Sequence, residues 1–250
     1  MAKTIFLAGA SGVIGRSLVP LLLEAGHDVI GSTRTEAGRA RLDALGIQSV
    51  VVDVYDAEAL ERIMASLAPG IVLHQLTDLA DPATDQAAMS RRNARLRREG
   101  TANLVRAARS GGVTRIVAQS IAWAYRPAER PLREDDPLDI DATGARAITV
   151  KDGVVPLEAA ILGQPDFAGI VLRYGQLWGP GTWSETPTGA SPLHVDAAAY
   201  AAFLAIDHGH PGPYNIAEPG GAVDVERALT ELGWRPDFRL SPGGTPPNLP

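Results

Sequence analysis

Ile5-Phe6-Leu7-Ala8-Gly9-Ala10-Ser11-Gly12-Val13-Ile14-Gly15 is the stretch that decides the fold. Four apolar residues run straight into a glycine-rich turn. From Val13 onward apolar residues recur at helical spacing, through Ile14, Leu18, Leu21 and Leu22. Strand, G-x-x-G-x-x-G turn and helix in direct succession make a unit suited to an anionic ligand. The glycines let the backbone bend and approach a pyrophosphate closely, while the helix N-terminus offers unpaired N–H groups and a favourable dipole. The spacing is not G-x-G-x-x-G, so the flanking strand and helix carry the reading.

The same alternation continues outward. Asp28 to Ser32 reads as a strand and Ala37 to Leu45 as a helix. Val50-Val51-Val52 reads as a buried strand, Ala57 to Leu67 as a helix, and Gly70 to His74 as a fourth strand. Arg91 to Ser110 is a long helix stopped by Gly111-Gly112, and Arg115 to Ala118 a fifth strand. Short apolar strands alternating with amphipathic helices predict an α/β fold: a Rossmann-type, doubly wound parallel sheet covered on both faces. Beyond Ser120 the pattern loosens. Residues 124–145 read as a long surface loop, Val154 to Leu162 as helix, Gly169 to Leu172 as a sixth strand, and Ala197 to His208 as the last helix. The Pro/Gly-rich tail from Ser241 to Pro250 is expected to fray. The expectation is one domain over residues 1–250, with a small C-terminal substrate lobe formed by segments near 175–195 and 217–250.

The tip of the second strand reads Gly31-Ser32-Thr33-Arg34-Thr35. An acid there would hold a ribose 2′-hydroxyl, whereas a cation suits a 2′-phosphate. With Arg34 in place of an acid, and Arg39 and Arg41 following, NADP(H) is preferred over NAD(H).

Composition narrows the function. The 250 residues hold 23 basic and 29 acidic side chains for a net charge of −6, which argues against a nucleic-acid partner. No apolar run approaches a membrane span, and no leader is expected before the first strand, so a cytoplasmic location is the default. The absence of cysteine removes disulfides and thiolate chemistry. Of the basic residues 21 are arginine, so any chemistry needing a lysine away from the N-terminus must use Lys151. His208-Gly209-His210 lies in a turn-like segment and His194 reads as a helix cap, so no metal site is expected. Arg91, Arg92, Arg95, Arg97 and Arg98 spread around a helix and read as a solvated face, in part at the interface of a possible homodimer. A small-molecule substrate is the expected partner.

Taken together with Asp53 and Ser120, these features resemble the short-chain dehydrogenase/reductase superfamily, specifically its extended, atypical branch of NAD-dependent epimerase/dehydratase proteins. The resemblance spans almost the whole chain. It places Gly9, Ser11, Gly12, Val13, Ile14 and Gly15 on the pyrophosphate side, Thr33 and Arg34 at the ribose, and Asp53-Val54 at adenine. It sets Gln75, Leu76 and Thr77 along the cofactor. Ser120 becomes a carbonyl-polarising residue at the end of the fifth strand, and Tyr174, Gly175 and Leu177 lie against the nicotinamide. Glu99-Gly100-Thr101, Glu134-Asp135-Asp136, His194-Val195-Asp196 and Tyr214-Asn215-Ile216 match in order.

One departure outweighs these matches. The family's acid/base pair is Tyr-x-x-x-Lys on the helix after strand five, the tyrosine being the acid/base and the lysine lowering its pKa and holding the ribose. Here no tyrosine lies between Tyr125 and Tyr174, and Ala147 stands four residues before Lys151. The expected activity is reduction of a carbonyl or double bond by NADPH, with Ser120, Tyr125, Tyr174 and Lys151 as candidates for the missing chemistry. A dinucleotide-binding regulator or redox sensor is one alternative, and an isomerase or lyase using the cofactor transiently is another.

Overall fold

The computed structural model describes residues 2–79 and 85–241. In chain order its first half runs β1 (Thr4–Ala8), α1 (Val13–Glu24), β2 (Asp28–Thr33), α2 (Glu36–Asp43), β3 (Gln48–Val51), α3 (Ala57–Leu67), β4 (Ile71–His74), α4 (Gln86–Arg95), α5 (Thr101–Ser110) and β5 (Arg115–Ile121). The second half adds α6 (Gly144–Thr149), α7 (Val155–Leu162), β6 (Ala168–Tyr174), β7 (Gln176–Trp178), β8 (Pro192–His194), α8 (Val195–Leu204) and β9 (Gly212–Ile216). Seven strands form one sheet in the order β3-β2-β1-β4-β5-β6-β9, with every pairing parallel. The order reverses between β1 and β4, the crevice where sheets of this type take their ligands. The expected Rossmann-type α/β sheet is therefore the one observed.

Alternation along the strands sorts the core into two layers. Ile5, Leu7, Val29, Leu73, Val117 and Leu172 pack with α1 and α8 on one face. Phe6, Ala8, Val72, Ile116, Ala118 and Val171 pack with α3, α5 and α7 on the other. The C-terminal segments join the first layer: Trp234 donates to the Ala197 carbonyl at 2.8 Å and Phe238 stacks on Tyr200.

Several expectations need correction. Val50–Val52 does not form a buried strand; β3 is an edge strand, half-buried to exposed, because it has a single strand neighbour. Residues 124–145 are the largely exposed loop expected, but drawn down at a few points into a strap. Tyr125 bridges Leu138, Leu132 bridges Val223, and Tyr125, Leu132 and Asp139 are buried. Arg146 ties the strap down, through Asp139 at 2.6 Å and the Tyr125 carbonyl at 2.7 Å. The helix expected at Ala197–His208 is Val195–Leu204, two residues earlier at its start and four shorter at its end, and a further helical turn follows at Ala228–Leu232. The tail beyond Ser241 lies outside the described residues.

Besides the π-turn at Ala228–Leu232, two helical stretches carry one. Leu96–Gly100 joins α4 to α5, and Val150–Val154 joins α6 to α7. The two π-turns pack on each other, and Gly153 makes the approach possible, since a Cβ there would stand 3.1 Å from Ala94 Cα. Such turns admit an extra residue and re-aim the side chains around it.

Candidate active site

The glycine turn has the geometry its sequence asks for. Gly9 sits at φ +96°, and a side chain there would meet the Gln75 carbonyl at 2.6 Å. A Cβ on Gly15 would fall 2.4 Å from the Gly9 carbonyl oxygen. Gly12 is the N-cap of α1 and makes no side-chain cap, so the first N–H groups of the helix face the crevice unpaired by side chains.

In front of this turn lies a cleft of about 320 Å³. Of the expected cofactor residues, Gly9, Ser11, Gly12, Thr33, Arg34, Val54, Gln75, Leu76 and Thr77 line it. Val52, Leu60 and Leu104 supply apolar wall, and Arg41 joins Arg34 at its rim. Arg39 does not; it turns to Glu36 and Asp43 on the surface of α2. Val13, Ile14, Gly15, Asp53, Gly175 and Leu177 are likewise off the wall. Ile14 is core, and the Asp53 carboxylate instead accepts from the Tyr55 N–H at 3.0 Å. A glycine cradle that side chains would fill, an apolar slot beyond it and two arginines at the rim fit a phosphorylated dinucleotide. Gln75 adds a buried side-chain amide with no hydrogen-bond partner among the described residues.

The reaction end looks different. Strand alternation puts His74, Ser120 and Arg173 on the same face of β4, β5 and β6, beneath α5 and α7. Ser120 is fully buried and its Oγ donates to Glu158 at 2.7 Å. Glu158 also receives two hydrogen bonds from Arg173, at 3.0 and 2.7 Å. Arg173 reaches on to the Tyr125 oxygen at 2.7 Å, and Tyr125 donates to Asn215 at 2.6 Å. Burial pushes the Tyr125 phenol up to about 12, against the pull of Arg173. The strap closes the set, because the Glu134 carboxylate accepts from the Asn215 N–H at 2.8 Å.

These contacts correct the catalytic candidates. Ser120 is spent on Glu158 rather than offered to a ligand, and Tyr125 is buried instead of standing at a pocket mouth. Tyr174 falls on the opposite face of β6 from Arg173 and donates to the Ala198 carbonyl at 3.2 Å, its pKa raised by burial. It is thus not beside Ser120. Lys151 is exposed on the outer side of its π-turn. What the end of β5 presents to the next helix is apolar: Ile121 and Ala124 pack with Val150 and Val154, two buried valines four residues apart. The stretch from Gly144 to Leu162 holds these valines and no tyrosine.

Sequence reasoning missed Glu158, His74 and the inward turn of Arg97. His74 is buried, accepts from the Leu76 N–H and donates to Thr101 at 2.9 Å; burial holds its pKa down to about 4, so the ring is neutral. Arg97 is expected among the solvated arginines of its helix, but it shares the inner face with buried Asn93 and Thr101 and is 5% exposed. His194 caps α8 by accepting from the Asp196 N–H at 3.1 Å. Among the described residues no helix is long and apolar enough to cross a membrane.

A family model described as the NAD dependent epimerase/dehydratase family matches residues 5–206, and the chain belongs to that family. The 3-diazoavenalumate denitrifying reductase of a Streptomyces species is 35% identical over 97% of this chain and 83% of its own length. The 3-beta-hydroxysteroid dehydrogenase of Mycolicibacterium neoaurum is 27% identical over 71% of the chain, which spans about half (48%) of that relative. Among solved structures, the UDP-glucose 4-epimerase of Thermotoga maritima superposes with a TM-score of 0.74 at 20% identity, covering 97% of this chain and 96% of that one. Relatives in this family thus include reductases, dehydrogenases and epimerases.

Proposed function

We propose that the chain is a reductase that binds NADP(H) in preference to NAD(H) and passes hydride to an electron-poor acceptor needing no proton from the protein. The observation that carries this reading is the apolar contact of Ile121 and Ala124 with Val150 and Val154 at the end of β5. Reduction of an ordinary ketone builds charge on oxygen, which a positioned acid must relieve. The members of that contact are apolar, with Leu138 and Val155 packed against them.

Bound NADPH supplies the hydride. The chain's own residues bind and exclude. The N–H groups at Gly12 and the start of α1 hold the pyrophosphate, and Arg34 with Arg41 holds the 2′-phosphate. Val52, Val54 and Leu60 wall the adenine. The valine contact keeps water from the reacting end. An arenediazonium group suits such a site: hydride adds at the ring carbon, the C–N bonding pair leaves with dinitrogen, and the cation becomes a neutral arene with no oxyanion to protonate. The name of the Streptomyces relative, a denitrifying reductase of a diazo compound, supports this class. An electron-poor double bond belongs to it too, because hydride leaves a delocalised anion that takes its proton from bulk solvent after it departs the site.

The test is NADPH consumption with an arenediazonium salt, an enone and a set of unactivated ketones, each against a protein-free control. The expected result is dinitrogen release or enone reduction above the control, and none with the ketones. Arg34→Ala should raise the KM for NADPH about tenfold and leave that for NADH unchanged, the scale of one lost charge-assisted phosphate contact. Ketone turnover, or equal wild-type affinity for the two dinucleotides, overturns the reading.

A further inference from the structure

Arg97 is a buried guanidinium without a visible partner. It donates no hydrogen bond and forms no ion pair among the described residues, although its exposure is only 5%. Across from it on the α6–α7 stretch is Gly153, whose missing side chain leaves room for the Arg97 Cδ. His74, hydrogen-bonded to Thr101 one helical turn beyond Arg97, is neutral. Glu158 is the acid whose field reaches it, but Glu158 is already held by Arg173 through both oxygens. Burial pulls the Arg97 pKa down to about 10, which still leaves it charged. The buried set of Arg97, Arg173 and Glu158 therefore carries one uncompensated positive charge.

Such a charge costs several kcal/mol to bury unless a counter-ion arrives. The location says from where. Arg97 follows Leu96, which lines the cleft, and lies by the C-terminal end of β4, where parallel sheets take ligands. A single excess charge matches a monoanion rather than a phosphate dianion, and a planar guanidinium pairs with a carboxylate through two parallel hydrogen bonds.

We infer that Arg97 binds the carboxylate of an organic-acid substrate, which neutralises the excess positive charge of the Arg97, Arg173 and Glu158 set. This assignment rests on the reductase reading above, because it places the substrate at the same end of the sheet. Arg97 is a substrate-binding residue in that site; it moves no proton.

The experiment measures binding rather than turnover. Benzoate and 4-hydroxycinnamate, each paired with its methyl ester, are titrated into the full chain with and without saturating NADP⁺. Wild type should prefer each acid over its ester by about tenfold or more, the scale of one charge-assisted pair. Arg97→Gln should abolish that preference while NADP⁺ affinity holds, and Arg97→Lys should restore part of it. A second variant guards against mere unfolding. Arg97→Met in the ligand-free protein should raise Tm by about 2–4 °C, since an unpaired buried charge is removed. A lowered Tm would mark Arg97 as a structural residue and overturn the assignment. So would a wild type that does not distinguish acid from ester, or an Arg97→Gln variant that still does. Failure of wild type to bind NADP⁺ would instead sink the reductase reading, and the titrations without NADP⁺ would still report on Arg97.

Discussion

Around β1, β2 and β3 the C-terminal edge of the sheet is shaped by backbone; around β5, β6 and β9 it is shaped by side chains. The first region is a glycine cradle with a helix N-terminus and an apolar slot, its N–H groups facing outward. In the second, Ser120, Glu158, Arg173, Tyr125, Asn215 and Glu134 have satisfied one another. The first region is built to wait for a ligand. The second has already spent its hydrogen bonds on holding β5, β6, β9, α7 and the strap together. Family members are expected to carry proton chemistry at that second region, whereas here its polar groups are structural.

The sharpest way to break this contrast is to cut the side-chain lock. Glu158→Ala should strand Arg173 without its partner and cost about 3–5 kcal/mol, read as a drop in the denaturant midpoint. The affinity for NADP(H), which belongs to the other region, should stay within about twofold by the same independence of distant sites. A large loss of affinity would mean that the two regions are one.

Next in size is a pH effect at the junction between them. His74 is neutral and buried in the folded chain with a pKa of about 4, while an unfolded histidine titrates near ~6.5. The unfolded chain therefore binds the extra proton between those values. Stability from this residue is complete above pH 6.5 and is lost as the pH falls toward 4, by up to about 3 kcal/mol. His74→Gln should flatten that part of the stability–pH curve, and an unchanged slope would show that His74 does not set it.

The smallest expected effect on the fold comes with a decisive one on binding. A side chain at Gly12 meets nothing closer than the Gly9 carbonyl at 3.2 Å, unlike one at Gly9 or Gly15. Gly12→Val should thus keep Tm nearly unchanged and weaken NADP⁺ binding about 100-fold, because the valine occupies the pyrophosphate's place. Retained affinity in calorimetry would move the phosphates elsewhere.

The same contrast explains what the sequence could tell. The cradle, Arg34, Val54 and the Gln75–Thr77 segment are local features: their meaning depends on neighbours a few residues away, so spacing alone exposes them. The lock pairs residues 15 to 90 positions apart, Arg173 with Glu158 and Tyr125 with Asn215, and no short-range pattern announces such partners. Arg97 was misread for a subtler reason. It stands four residues after buried Asn93 and four before buried Thr101, on the inner face of the helix, while Arg91, Arg92, Arg95 and Arg98 stay exposed. Tyr174 lies one step of strand alternation from Arg173 and so on the opposite face of β6, a distinction that the order of residues alone does not turn into contacts. The strap reads as a surface loop from its prolines and acids, while its bridge from Leu132 is to Val223, far along the sequence.

The valine contact at the end of β5 also bears on redesign. Val150 and Val154 are closed over by Ile121 and Ala124 with no exposed surface left. A tyrosine and a lysine introduced at those two positions would overfill the space and bury a new charge, so each substitution on its own costs stability before it contributes anything. Placing them there therefore also requires opening Ile121 and Ala124. An engineer seeking ketone reduction from this scaffold would start from the four residues together.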